Sequence, residues 1–163
     1  MRIIGIDPAL RITGFGIIDE NKGNFSLVKA GTIITTANKP LPMRLNQIFE
    51  GLNSLLFEFK PQVMVLEKIY VHYQHPATSF LLGEARGIIC LAAAQANLTL
   101  EEYSATHVKK SVLGRGMASK EQVQRMVVAL LGMKILPKYK DVTDALALAI
   151  AYCYFSRAYK FRD

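Results

Sequence analysis

Near the start of the chain, the segment Ile3-Ile4-Gly5-Ile6-Asp7-Pro8 places an acidic residue directly after a short β-branched run. A run of this kind, bounded by proline, predicts a buried strand that ends at the aspartate. The segment Val63-Met64-Val65-Leu66-Glu67 repeats the pattern with a glutamate. Because ligands of α/β sheets bind at the carboxyl ends of strands, both acids are candidate site residues.

The order of predicted elements indicates an α/β fold with a five-stranded mixed sheet flanked by helices. Strands over 1–7, 13–18 and 25–35 form a predicted antiparallel meander, with a turn over 20–24. Apolar residues at spacings of three and four predict a helix over 42–59, which precedes the strand over 63–67. The remaining predicted elements are helices over 78–96, 106–113, 119–131 and from 141 onward, and a strand over 98–103.

Length and composition predict a single domain over residues 1–163, because a chain with 51% hydrophobic residues can bury a substantial core. A basic tail that contains Arg157, Lys160 and Arg162 is expected to be flexible from about residue 157. Cys90 and Cys153 fall inside predicted apolar helices and are expected to be buried free thiols. The sequence shows no signal-peptide pattern and no apolar run that could span a bilayer, so we expect a cytoplasmic protein with no membrane partner.

The charge balance is strongly basic, with 20 Lys and Arg against 13 Asp and Glu and a net charge of +7. This excess is typical of proteins that bind a polyanion such as nucleic acid. Many soluble proteins are also basic without such a partner, so charge alone leaves both interpretations open.

Two further acids, Asp141 and Asp144, open the last predicted helix and lie near one face of its first turn. With Asp7 and Glu67 they make four carboxylates, which would balance two divalent cations. Two Mg²⁺ ions about 3.5 to 4 Å apart can catalyse phosphodiester hydrolysis, and Mg²⁺ prefers oxygen ligands. The structural alternative is that Asp7 ends a strand, Asp141 caps the helix and Asp144 complements its dipole.

Basic residues surround a glycine-containing loop and the start of the next helix: Lys109, Lys110, Arg115 and Lys120. Ser119 and Gln122 fit a capping box, so a helix N-terminus would add its positive dipole to these charges. The arrangement predicts a phosphate-binding loop, and a solvated loop before a capped helix is the alternative.

An aromatic and histidine-rich loop follows Glu67. Tyr70 and Tyr73 can stack on exposed bases or pack the loop onto the core. His72 and His75 are treated as hydrogen-bonding residues and are assigned no metal.

Several motifs occur together and in one order, from the first residue to about residue 152. They are Gly5-Ile6-Asp7-Pro8-Ala9-Leu10 with Thr13-Gly14-Phe15-Gly16, Glu67-Lys68-Ile69-Tyr70, Ala85-Arg86-Gly87, Lys109-Lys110, the block from Gly114 to Val123, and Asp141-Val142-Thr143-Asp144-Ala145-Leu146-Ala147. This combination resembles the RuvC family of Holliday-junction resolvases, which are crossover junction endodeoxyribonucleases.

The resemblance implies a ribonuclease H-like fold and a homodimer that resolves four-way DNA junctions by symmetric paired nicking in homologous recombination and DNA repair. It implies two Mg²⁺ ions per subunit, which Mn²⁺ can replace, and a branch-migration motor of the RuvA and RuvB type as partner. The positions that match the family's catalytic and metal-binding acids are Asp7, Glu67, Asp141 and Asp144.

Further positions match basic and aromatic residues of the family. Lys109 and Lys120 match residues near the scissile phosphate, Lys120 with a catalytic role, and Tyr70 matches an aromatic that contacts unstacked bases. The other predicted DNA-binding residues are Arg86, Lys110 and Arg115. The chain departs from the family pattern at three places. Ala9 affects only a tight turn, the departure over 72–75 leaves the base preference open, and Glu84 has no assigned effect.

Three other functions remain in competition. Sugar-kinase and actin-like ATPases share the opening Gly-x-Asp strand and Thr-Gly hairpin, although they need a second domain. A non-catalytic junction-binding module would need the basic residues but not the acids. Other ribonuclease H-like nucleases share the acids but cut RNA or ordinary DNA.

Overall fold

The computed structural model describes residues 1–68 and 76–160, with side-chain surroundings for 1–68 and 78–157. The strands are β1 (Arg2–Asp7), β2 (Ile12–Asn21), β3 (Asn24–Ile34), β4 (Val63–Glu67) and β5 (Thr99–Tyr103). The helices are α1 (Leu41–Phe59), α2 (Pro76–Gln95), α3 (Ala105–Leu113), α4 (Lys120–Leu130) and α5 (Lys140–Lys160). None of the helices in the described ranges has the length and apolar character needed to cross a membrane.

The strands form one five-stranded mixed sheet in the order β3-β2-β1-β4-β5, which confirms the predicted architecture. β1, β2 and β3 pair antiparallel as a meander. β4 and β5 continue the sheet parallel to β1. The carboxyl ends of β1, β4 and β5 therefore lie at the same edge of the sheet.

Alternate residues of the central strands face two separate helical layers. Ile3, Val63 and Val65 pack with residues of α3, α4 and α5 on one face. Met64 and Leu66 pack with residues of α1 and α2 on the other face. The period of two along a strand thus sorts neighbouring apolar residues into two cores.

The hairpin between β2 and β3 is tighter than the predicted turn over 20–24. The strands continue to Asn21 and restart at Asn24, which leaves Lys22 and Gly23 as the turn. Both have positive φ, 47° and 103°, as a two-residue hairpin turn of type I′ requires. The twist of the paired strands favours this turn, so β2 is longer than its apolar run indicates.

The tail that was predicted to be flexible from about residue 157 overlaps the end of α5, which continues to Lys160. Arg157 forms an ion pair with Glu20 in β2, and the Glu20 carboxylate also accepts a hydrogen bond from the Gly23 amide. This long-range contact holds the end of the helix against the first hairpin. Residues 161–163, including Arg162, lie outside the described ranges.

Both cysteines are unpaired, as predicted, but they differ in burial. Cys153 is buried in α5, and burial raises the pKa of its thiol to about 12. Cys90 in α2 is only half-buried, so the prediction of complete burial was wrong for this residue.

Candidate active site

The register of the parallel strands places Asp7 beside Glu67. Gly5 pairs with Val65 and Ile6 with Leu66, so the two acids are the next residues of adjacent strands. By the alternation of side chains along a strand, Asp7 lies on the same face as Ile3, and Glu67 on the same face as Val63, which is the face that packs against α5. Both carboxylates therefore lie at one edge of the sheet and on the face that α5 covers.

Two glycines allow α5 to approach these strands closely enough to add Asp141 and Asp144. A Cβ atom at Gly5 would lie 1.9 Å from the carbonyl oxygen of Ala145. One at Gly14 would lie 2.2 Å from the carbonyl oxygen of Asp141. The helix backbone thus rests directly on the strand backbones, and any side chain at these positions would displace the first turn of α5.

The loop after Asp7 is fixed by hydrogen bonds from two threonines. The buried Thr13 hydroxyl donates to the carbonyl oxygen of Ala9 at 2.7 Å, and the Thr35 hydroxyl donates to that of Leu10 at 2.6 Å. Ala9 is accommodated in this loop although the family pattern has glycine there. No role was predicted for Thr13 beyond its place in a motif.

Burial and three negative neighbours raise the pKa of Asp7 from its usual 3.8 to about 7. The neighbours, in decreasing order of effect, are Asp144, Glu67 and Asp141. Burial is also the main cause that raises the pKa values of Glu67 and Asp144. The four carboxylates therefore share one electrostatic environment, with the repulsion expected of clustered acids.

Two lysines partly offset this negative charge. Lys120, the first residue of α4, places its Nζ atom 3.6 Å from Oδ2 of Asp144. Its charge lowers the pKa values of Asp144 and Glu67, and Lys109 also lowers that of Glu67. The pKa values of Glu67 and Asp144 are still raised, because the desolvation of these two acids outweighs the attraction of the ammonium groups.

A small cleft of about 60 Å³ joins these charged groups. Glu67, Asp144, Lys109 and Lys120 form its polar wall. Its apolar lining comes from α3, α4 and α5: Ala105, Val108, Val123, Ala147 and Leu148. The predicted capping box is confirmed at the start of α4, where Ser119 and Gln122 exchange side-chain to backbone hydrogen bonds. The cap fixes the helix start from which Lys120 reaches the cleft.

The donor set fits a hard divalent cation, although its side chains are not arranged around one. Along residues 1–68 and 76–160, no three acidic, histidine or cysteine side chains are already grouped to hold a metal ion. The four acids offer only oxygen ligands, and burial together with their mutual repulsion raises the pKa of Asp7. Binding through several of them would relieve that repulsion, but it requires the carboxylates to turn toward a common ion.

The other predicted DNA-binding residues are placed unevenly around the cleft. Lys109 is half-buried and lines it, whereas Lys110 and Arg115 are exposed and form no ion pair within the described part of the chain. Tyr70, His72, Tyr73 and His75 lie outside the described residues.

Arg86 is engaged with protein groups, a placement that its sequence did not indicate. Its Nη1 atom donates to the backbone carbonyl oxygen of Glu67 at 2.8 Å, and its Nη2 atom pairs with the carboxylate of Glu102 in β5. Its side chain is only 15% exposed. Glu102 was not predicted as part of the site, because a charged residue on a predicted strand gives no sign of its partner.

Comparison with known proteins places these features in a family. A family model described as crossover junction endodeoxyribonuclease RuvC matches residues 3–152. The crossover junction endodeoxyribonuclease RuvC of Brevibacillus brevis is 44% identical over 155 residues, covering 95% of this chain and 93% of the relative. The chain is therefore related to nucleases over nearly all of its length.

Two solved structures of Thermus thermophilus RuvC share the fold. One has a TM-score of 0.89 and 29% identity, and covers 97% of this chain and 96% of its own. The other, in complex with a Holliday junction substrate, has a TM-score of 0.91 and 28% identity, with the same coverage. These similarities confirm the ribonuclease H-like fold. By sequence and by fold, the chain belongs to the RuvC family of crossover junction endodeoxyribonucleases.

Proposed function

We propose that this protein is a structure-selective endonuclease that resolves four-way DNA junctions by symmetric paired nicking, in homologous recombination and DNA repair. The observation that carries the proposal is the convergence of four carboxylates from separate segments beside two lysines. The names of the curated relatives support it. The related Thermus thermophilus protein solved with a Holliday junction supports the choice of substrate.

Asp7, Glu67, Asp141 and Asp144 are the proposed catalytic acids and would hold two Mg²⁺ ions per subunit, which Mn²⁺ can replace. Bound ions of this kind supply an activated water and neutralise charge on the phosphoryl oxygens. The residues' own contribution is to present oxygen ligands from β1, β4 and α5 at one edge of a rigid sheet. The direct contact of α5 with Gly5 and Gly14 keeps these ligands in register.

Lys120 is the proposed cationic partner of the scissile phosphate. Its side chain is 67% exposed and its ammonium lies beside Asp144, so the group can reach a phosphate bound at the cleft. A charged donor placed where negative charge develops stabilises the transition state. Lys109, which lines the same cleft, would assist.

The surrounding basic residues are proposed to bind the DNA backbone. Lys109, Lys110, Arg115 and Lys120 lie on α3, on α4 or in the loop between them, in a chain with a net charge of +7. Contacts of this type orient the duplex arms without reading sequence. Tyr70 is proposed to stack on unpaired bases at the junction centre.

We also propose that two copies act together, since a four-way junction has two-fold symmetry and needs two matched nicks. Helix α2 carries exposed apolar side chains, including Phe80 at 69% and Leu91 at 47% exposure, which a second copy could cover. The rest of the proposal is a single nuclease domain in the cytoplasm, acting with a branch-migration motor of the RuvA and RuvB type. The unpaired cysteines support a reducing compartment.

The test compares the wild-type protein with Asp7→Asn on a synthetic four-way junction and on a matched linear duplex, in Mg²⁺. We expect paired nicks at symmetric positions of the junction only, and binding without nicking by Asp7→Asn. The matched control is Glu58→Gln, which changes an exposed acid of α1 and should nick normally.

Three outcomes would reject the proposal. Vigorous cleavage by Asp7→Asn would remove the assigned chemistry, and equal cutting of duplex and junction would indicate a general ribonuclease H-like nuclease. Junction binding without cleavage by the wild-type protein would indicate a non-catalytic binding module.

A further inference from the structure

We propose that Arg86 is a positioning residue for Glu67, and that it sets the metal affinity of the site without contacting DNA. The inference deepens the proposed function and rests on it, because it concerns one of the acids that would hold the metal. It replaces the DNA-binding role that was predicted for Arg86.

The peptide group that follows Glu67 is held at both ends. Its carbonyl oxygen accepts a 2.8 Å hydrogen bond from Nη1 of Arg86. Its N–H group, which belongs to Lys68, donates a 2.8 Å hydrogen bond to the carbonyl oxygen of Tyr103 in β5. Both ends of one peptide plane are therefore held, and the backbone of Glu67 cannot rotate where the chain leaves the sheet.

The second partner of Arg86 fixes the guanidinium itself. Its Nη2 atom pairs with the Glu102 carboxylate, which lies on β5 next to Tyr103. A planar guanidinium with two acceptors has few other orientations, and a lysine ammonium cannot reproduce this geometry. Arg86 thus ties α2, β4 and β5 together at the residue that carries the Glu67 side chain.

The same contacts argue against a role in binding phosphate. The positive charge of Arg86 is offset by Glu102, and both terminal nitrogens already bind protein acceptors. With a side chain only 15% exposed, Arg86 offers little surface to DNA, unlike the exposed Lys110 and Arg115. Residues that orient metal ligands in this way typically change metal affinity by about 10- to 100-fold when they are replaced.

The chain contains a matched control at the opposite end of the parallel strands. Arg2 also joins a carboxylate and a backbone carbonyl, through hydrogen bonds to Asp19 at 2.9 and 2.8 Å and to Phe59 at 2.9 Å. It lies at the start of β1, whereas Asp7 ends that strand. Arg2→Lys should therefore show the effect of losing a pair of arginine contacts of this kind, without a change in the position of the four candidate acids.

The experiment titrates full-length Arg86→Lys, Glu102→Gln and Arg2→Lys proteins with Mg²⁺ by isothermal calorimetry. We expect Arg86→Lys to bind Mg²⁺ about 10-fold more weakly than wild type, with Glu102→Gln intermediate and Arg2→Lys unchanged. Junction binding in EDTA should keep its wild-type salt dependence, and nicking should lose kcat with little change in KM. Glu102→Gln keeps the test decisive if Arg86→Lys folds poorly, because it leaves Arg86 in place.

Wild-type Mg²⁺ affinity in both Arg86→Lys and Glu102→Gln would overturn the inference. A salt slope reduced by about one ion in Arg86→Lys would also overturn it, since that result assigns Arg86 to a phosphate. Failure of the proposed function would give a different result, in which the wild-type protein binds Mg²⁺ but leaves a four-way junction intact. In that case the calorimetric comparison of the variants would still decide the role of Arg86.

Discussion

On the face of the sheet that carries the candidate site, α5 lies directly on the glycines of β1 and β2. On the opposite face, α1 and α2 lie on large side chains, with Ile48, Leu52 and Ile89 packed against Met64 and Leu66. The first kind of contact joins backbone to backbone and cannot adjust, whereas side chains can repack. The face with the candidate site thus fixes the positions of its residues, and the other face mainly contributes buried apolar area.

The largest expected effect comes from filling the closest contact on the site face. In Gly5→Ala, the new Cβ would meet the backbone carbonyl of Ala145 at 1.9 Å, so α5 must move away from β1. We expect a loss of about 4 kcal/mol or more in the free energy of unfolding, measured by urea denaturation. An unchanged denaturation midpoint would show that this face adjusts as readily as the other.

The next largest effect is expected from replacing Asp7, whose raised pKa makes the stability of the protein depend on pH. Because the pKa of Asp7 is raised from 3.8 to about 7, the folded protein keeps a proton on Asp7 between these two pH values, whereas the unfolded chain releases it. The stability that this provides is complete below pH 3.8 and is lost as the pH rises through 7. Asp7→Asn should therefore be more stable than wild type at pH 8, by at most about 4 kcal/mol.

The measurement is thermal or urea unfolding at several pH values, without and with Mg²⁺. Added Mg²⁺ should stabilise the wild-type protein at pH 8 and reduce its difference from Asp7→Asn. Asp19→Asn is the control of opposite sign. Arg2 lowers the pKa of Asp19, so this variant should lose stability at pH 8. Equal pH dependence of wild type and Asp7→Asn would contradict the raised pKa.

On the opposite face, Leu52→Ala removes a side chain that is 1% exposed in the core between α1 and the sheet. We expect a loss of about 3 kcal/mol in stability, from burial and the cavity left behind. Mg²⁺ affinity should stay within twofold of wild type, because the backbone contacts of α5 are untouched. A marked drop in Mg²⁺ affinity would show that the two faces are coupled.

The smallest effect is expected at Gly87 in α2. A Cβ there would meet nothing within 4 Å, in contrast to Gly5. Gly87→Ala should raise the stability of the protein by up to about 1 kcal/mol, through the higher helix propensity of alanine. Analytical ultracentrifugation of the same variant measures dimerisation. Weaker dimerisation of Gly87→Ala would place the partner copy against the surface of α2 around residue 87.

Local sequence patterns predicted the parts of the fold that depend on local physics. The strand predicted over 63–67 has these bounds in the structure, because its apolar run is long enough to be buried and ends at a charge. The capping box at Ser119 is equally local. The four acids could be selected because each follows a strand or opens a helix, and the fold brings them to one edge of the sheet.

The contacts that could not be predicted join residues that are distant in sequence. The ion pair of Arg157 was not foreseen, because its partner Glu20 lies 137 residues away. The ion pair of Arg86 with Glu102 was not foreseen either, because a charged residue in the sequence does not identify its partner. The close approach of α5 to Gly5 and Gly14 could not be predicted either, because a glycine in a strand does not indicate which helix packs against it.

The last helix of the chain covers its first two strands, and this order has a consequence for biosynthesis. A nascent chain that has not reached residue 141 already contains Asp7 and Glu67 but neither aspartate of α5. Closing that contact joins segments at opposite ends of the described chain, which is a slow class of folding event. If the proposed chemistry is correct, incomplete translation products lack part of the acid set. Such truncated chains would therefore have no nuclease activity toward cellular DNA.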